Sequence, residues 1–148
     1  ERVERAQQYF KAGYNCAQAV VMAFDDVMQM SPEMLARLAA PFGGGMGRLR
    51  EVCGTVSGMF MVAGYLQPNA NPEDAASKKS CYTLVQSLAE EFRQQNGSIV
   101  CRELLGLKQK SDEPTPLPRT EEYYHRRPCG EYVAIAARIL GQKIIEME

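Results

Sequence analysis

The chain has 148 residues, about the size of one typical domain, and 45% of them are hydrophobic against 24% charged. That is enough apolar material to close a core and excludes intrinsic disorder for most of the chain. With 17 Lys and Arg against 18 Asp and Glu the formal net charge is −1, so no overall positive field is available to hold a nucleic acid, and no such partner is expected.

Helical spacing of apolar residues recurs along the chain, and strand-like alternation is nearly absent. The first helix is predicted over 3–12, closed by Gly13. Asn15 caps a second, with Gln18 as the return partner of a capping box, and Ala17, Val20, Val21, Phe24, Val27 and Met28 share its core face. Ser31-Pro32-Glu33 starts a third helix that ends near Ala40. A glycine-rich loop, Phe42-Gly43-Gly44-Gly45-Met46-Gly47-Arg48, leads into an apolar helix over 51–66, in which Gly54 and Gly58 leave a groove for a close neighbour. The apolar stretch 52–66 is too short for a membrane span, which needs ~20 apolar residues, so no span is expected.

Asn71-Pro72-Glu73-Asp74 opens a long helix to about Gln95 with a core stripe of Cys81, Leu84, Val85, Leu88 and Phe92. Ser98 is expected to cap a short helix closed by Gly106, and the prolines of 108–119 predict an extended surface segment. A last helix runs from Pro128 to about Ile145. The expectation is one all-α domain over residues 1–148, a helical bundle of six to eight helices. No signal-peptide pattern opens the chain, so the cytoplasm is the expected compartment, where thiols are normally reduced.

The five cysteines carry the candidate chemistry. Cys16, Cys101 and Cys129 fall in the first turns of predicted helices, and Cys53 lies near the start of another. A helix N-terminus offers unpaired amides and a positive dipole end, both of which favour a thiolate, the form that attacks disulfides and binds metals. Four such starts converging would make one pocket. Cys81, two turns inside a helix, reads instead as apolar filler.

Gly13-Tyr14-Asn15-Cys16-Ala17, the glycine loop, Cys53-Gly54-Thr55-Val56-Ser57-Gly58, Cys101 and Cys129 together resemble the redox-active proteins of the C_GCAxxG_C_C family. The resemblance runs from about Tyr9 to Leu140. Thr55 stands where a central Cys-Gly-Ala-x-x-Gly signature has Ala, a change not expected to move the thiol. The resemblance maps the four family cysteines onto Cys16, Cys53, Cys101 and Cys129 and leaves Cys81 outside.

The glycine loop lacks a P-loop ending and follows a helix rather than a strand, so it is no nucleotide fingerprint. Its glycines are expected to supply unusual backbone angles near the central helix. Alternatively Gly44, Gly45 and Gly47, with Arg48 or Arg50, face Cys53 and hold a thiolate or an anionic ligand. His125, the sole histidine, and Arg126 and Arg127 precede Cys129 and could act beside it. The methionines read as core filler.

The function expected first is thiol-based redox chemistry, either dithiol–disulfide exchange or electron transfer, and hence a possible thiol–disulfide oxidoreductase. Cys53 is the first choice of reactive thiolate, with Cys16, Cys101 and Cys129 as resolving partners or a second pair. The partner would be a redox protein or a small thiol or disulfide. The same four cysteines could instead ligate zinc or an iron–sulfur cluster, or lie inert in a helical interaction module.

Overall fold

Asn15 fixes where the centre of the molecule begins. In the computed structural model, which describes residues 1–107, 113–121, 123 and 128–148, its side-chain carbonyl accepts the Gln18 N–H at 2.9 Å while Gln18 Oε1 accepts the Asn15 N–H at 2.9 Å. This is the predicted reciprocal capping box. The helix it opens, α2 (Cys16–Met22), buries every residue except Gln18. A helix so short and apolar persists only when surrounded. Around it pack α1 (Arg2–Lys11), α4 (Pro32–Ala39), α6 (Gly54–Leu66) and α9 (Cys129–Met147).

Helix α2 stops earlier than its apolar face suggests, and Val27 and Met28 belong to a separate turn, α3 (Asp25–Met28). The break is held from α1: Arg2 Nη1 donates to the Ala23 carbonyl at 3.1 Å, pairs with Asp26, and lies 4.7 Å over the Phe24 ring. Helix α4 starts as predicted, with Ser31 Oγ accepting the Met34 N–H at 3.2 Å and Pro32 at the first position.

After a 3-10 turn, Ala40–Phe42, comes a turn of the opposite hand, α5 (Gly43–Met46). Gly44, Gly45, Met46, Gly47 and Arg48 have φ of 67°, 68°, 69°, 63° and 66°, so the chain makes a left-handed helical turn. It is closed by Gly47 N–H to Gly43 O and Glu51 N–H to Gly45 O, both 2.9 Å. Left-handed turns cost roughly 1–2 kcal/mol per L-residue. Glycine at three of these five positions limits that cost to Met46 and Arg48.

The helix expected from residue 51 begins at Gly54, because residues 51–53 are held extended by distant chain. Val52 forms an isolated antiparallel bridge with Val100, Cys53 N–H donates to Ile99 O at 2.8 Å, and Cys101 N–H donates to Glu51 O at 2.5 Å. The groove expected at Gly54 and Gly58 receives α2: a Cβ at Gly58 would lie 3.0 Å from Val20 Cβ and 3.2 Å from Ala17 O.

Asp74 caps α7 (Ala75–Asn96), accepting the Ser77 N–H at 3.0 Å, and Gly97 ends it with φ of 90°. Leu84, Leu88, Ala89 and Phe92 are its buried residues. Cys81 and Val85, expected on the same core stripe, are only half-buried. Ser98 does not cap α8 (Cys101–Leu104). Val100 occupies that position, and the Ser98 hydroxyl accepts the Val100 N–H and donates to Glu103.

Among the described residues there are thus eight right-handed helices, one left-handed turn and no strand longer than a bridge. No described helix is long and apolar enough to cross a membrane. His125, Arg126 and Arg127 lie outside the described residues.

Candidate functional site

Cys16, Cys101 and Cys129 are the first residues of α2, α8 and α9, and Cys53 is the N-cap of α6. All four line one cavity of about 350 Å³. Close backbone approach brings them there. A Cβ at Gly54 would lie 2.7 Å from Cys16 Sγ, and one at Gly45 would lie 2.6 Å from Cys101 Cβ. The 51–53 and 99–101 segments pair directly, which sets Cys53 and Cys101 on neighbouring stretches of backbone. Cys81 is not among the residues lining this cavity.

Burial controls the two inner thiols. It pushes Cys16 upward against the opposing Gly44 amide and the first amides of α2. It also pushes Cys53 upward, helped by the nearby Cys16 and Cys129 thiols, against the Thr55 hydroxyl and amide. Both are therefore protonated at neutral pH. The thiolate-favouring effect expected of a helix start is outweighed at these positions by desolvation.

Thr55 is more than a silent replacement for Ala, because its fully buried hydroxyl lies 3.1 Å from Cys53 Sγ. Tyr132 also lines the cavity, and its phenol is pushed upward by burial and by the neighbouring Cys53 and Cys129.

The glycine loop divides its duties. Gly44, Gly47 and Arg48 line the cavity, whereas Gly45 backs Cys101. Of the two arginines that the alternative reading set against Cys53, Arg50 turns to Cys101, with Nη1 3.6 Å from its sulfur in a residue only 5% exposed. Arg48 Nη1 donates to the Thr115 carbonyl.

That last contact belongs to a roof the sequence did not suggest. The described part of the proline-rich segment, residues 113–119, is extended and mostly exposed as expected, yet Pro114, Pro116, Leu117 and Arg119 also line the cavity. Arg119 donates to Phe10 O at 3.2 Å and Tyr14 O at 2.9 Å, and its guanidinium lies 4.5 Å and 4.9 Å from the Phe10 and Tyr123 ring centroids. Arg119 thereby latches the segment to the end of α1. An arginine behind a proline carries no periodicity that would have marked it.

A zinc or iron–sulfur centre would need the thiols to converge on one point. Among the described residues no three His, Cys, Asp or Glu side chains are placed to hold a metal ion. The chain matches no curated protein and no solved structure. It does match a family profile described as "Putative redox-active protein (C_GCAxxG_C_C)" over residues 14–143. On a match spanning nearly its whole length and all four cavity cysteines, the chain belongs to the C_GCAxxG_C_C family.

Proposed function

We propose that the chain is a thiol–disulfide oxidoreductase that cycles two cavity cysteines between dithiol and disulfide. The observation that carries this is the meeting of residues 16, 53, 101 and 129, from four distant stretches of chain, around one cavity. Dithiol chemistry needs only two neighbouring sulfurs, and Cys16 has both Cys53 and Cys101 close enough to be felt electrostatically. In the forward step a thiolate attacks the disulfide of a redox protein or small molecule and releases one thiol. A second cysteine then displaces the other, giving a protein disulfide and two reduced leaving groups. The burial that keeps Cys16 and Cys53 protonated also shields them from indiscriminate oxidation.

The test is a count of alkylatable cysteines in the protein after exposure to an organic disulfide, before and after reductant. A rise of two or four on reduction is expected, with peptide mapping to name the pair. An unchanged count refutes the proposal.

A further inference from the structure

We propose that Arg50 is a catalytic residue that makes Cys101 the attacking sulfur, with Cys16 as the neighbour that resolves the mixed disulfide. This rests on the thiol–disulfide function proposed above. The three buried cavity cysteines have different partners. Cys16 faces the Gly44 amide and Cys53 the Thr55 hydroxyl, both neutral, while Cys101 receives a guanidinium N–H at 3.6 Å. A guanidinium stays protonated under all ordinary conditions and is the strongest of these three donors toward an anion.

The placement is built rather than incidental. Arg50 has φ of 59°, in the left-handed region that L-residues avoid, and its charge sits in a residue 5% exposed. Both features persist only where the surroundings over-determine them. Here Arg50 N–H donates to Gly44 O at 3.4 Å, and the Arg50 carbonyl accepts from Arg102 N–H and Arg102 Nη1 at 3.2 Å each. Arg102 is anchored in turn to Glu51 at 3.1 Å. Gly45 completes the arrangement: a Cβ there would lie 2.6 Å from Cys101 Cβ and 2.8 Å from Arg50 Cα, so its absence lets the two residues close on each other. Cys16 and Cys101 are thus set against successive glycines of one left-handed turn.

The chemistry balances with an organic disulfide, RS–SR, as the oxidant. The Cys101 thiolate, its charge met by Arg50, attacks one sulfur, forming Cys101–S–S–R and expelling RS⁻. Cys16, on losing its proton, attacks Cys101 Sγ, forms the Cys16–Cys101 disulfide and expels the second RS⁻. The two cysteine protons pass to the two leaving thiolates, so the protein loses two electrons and RS–SR gains them.

Peptide-mapped alkylation of the reduced full-length chain with iodoacetamide at neutral pH tests the assignment. Among the three buried cysteines Cys101 is expected to react first. Arg50→Gln should slow Cys101 by about tenfold or more, and Arg50→Lys should restore most of the rate, which loss of packing alone would not do. Should Arg50→Gln fail to fold, Cys16→Ser and Cys101→Ser serve with Arg50 intact. Treated with hydroxyethyl disulfide, Cys16→Ser should accumulate a mixed disulfide at Cys101, and Cys101→Ser should lose that capture. First reaction at Cys16 or Cys53, or a Cys101 rate indifferent to Arg50→Gln, overturns the role of Arg50. If wild type still gains alkylatable thiols on reduction in that case, the thiol–disulfide function stands without it. If no cysteine ever captures the probe, both fall.

Discussion

Replacing Gly54 and Gly64 separately by Ala isolates the contact that seats Cys16 against α6. Both residues lie in the same helix, and Gly→Ala in a helix interior gains about 1 kcal/mol in propensity, somewhat less at its first turn. Nothing lies within 4 Å of a Cβ at Gly64. Gly64→Ala is therefore expected to stabilise by about 1 kcal/mol, raising Tm by about 2–4 °C at this chain length. A Cβ at Gly54 would meet Cys16 Sγ at 2.7 Å, Phe42 O at 3.0 Å and Ala17 N at 3.1 Å. Two of those atoms are backbone, so no single rotamer change relieves the contact, and overpacking of this kind costs about 1–3 kcal/mol. Gly54→Ala should thus fall below Gly64→Ala by about 1–3 kcal/mol in urea or thermal unfolding under reductant. In a Cys16→Ala background the penalty should shrink but not vanish, giving a coupling of at least about 0.5 kcal/mol in the double-mutant cycle. Equal stabilisation by the two alanines would refute the close seating of Cys16.

Because burial raises Cys16 and Cys53 above their unfolded values, the stability they contribute is complete below about pH 8.5 and is lost as pH climbs beyond it. Urea midpoints should fall on the alkaline side, and Cys53→Ala should flatten that fall; an unaltered slope would count against burial as the cause. The hydrogen-bonded Arg2 guanidinium holds the Asp26 carboxyl at about 2, so its contribution is present above the ordinary carboxylate range and disappears as pH drops from about 4 toward 2. The pair is largely solvent-exposed, which limits its worth to below about 1 kcal/mol; Asp26→Asn should remove that acid-side slope, and a slope that persists would assign it elsewhere. Arg119→Ala deletes the hydrogen bonds to Phe10 O and Tyr14 O and the stacking on the Phe10 and Tyr123 rings. Cavity cysteines should then alkylate about tenfold faster or more, since each cation–π contact alone is worth about 0.5–2 kcal/mol, whereas unchanged rates would mean that the segment does not limit access.

What the sequence revealed was local. The Asn15–Gln18 box, the Ser31-Pro32 start, the opening of α7 after Asn71-Pro72-Glu73-Asp74 and the Pro128 start of α9 each depend on a few adjacent residues, and each is where the motif puts it. So is the placement of the four cysteines at helix starts. The features that misled were settled by distant chain. Pairing with residues 99–101 holds back the start of α6, the grip of Arg2 on Ala23 ends α2, and the end of α1 receives Arg119. Arg50 was visible as a cation near the loop, but the direction of its side chain depends on the left-handed φ of a non-glycine residue, which composition does not disclose. Thr55 was read only as a change that should not move the thiol, and the hydroxyl it sets beside the sulfur went unremarked.

Strain and close approach concentrate in residues 43–58, where the left-handed turn, Arg50, Gly54 and Gly58 all lie. A bundle seeking stability alone would not place three L-residues at positive φ beside a buried guanidinium, because each opposes folding. Described helices away from this stretch follow ordinary rules: side-chain caps begin α2, α4 and α7, and Gly97 closes α7. The departures share one spatial focus, the wall shared by Cys16, Cys53 and Cys101. Local conflict confined to one site while neighbouring elements are self-consistent is the pattern expected where selection acts on chemistry rather than on packing. By that argument the left-handed turn is part of the thiol site: it removes the bulk between Cys101 and Arg50, directs an amide at Cys16, and so sets which sulfur meets a charge and which meets a neutral donor.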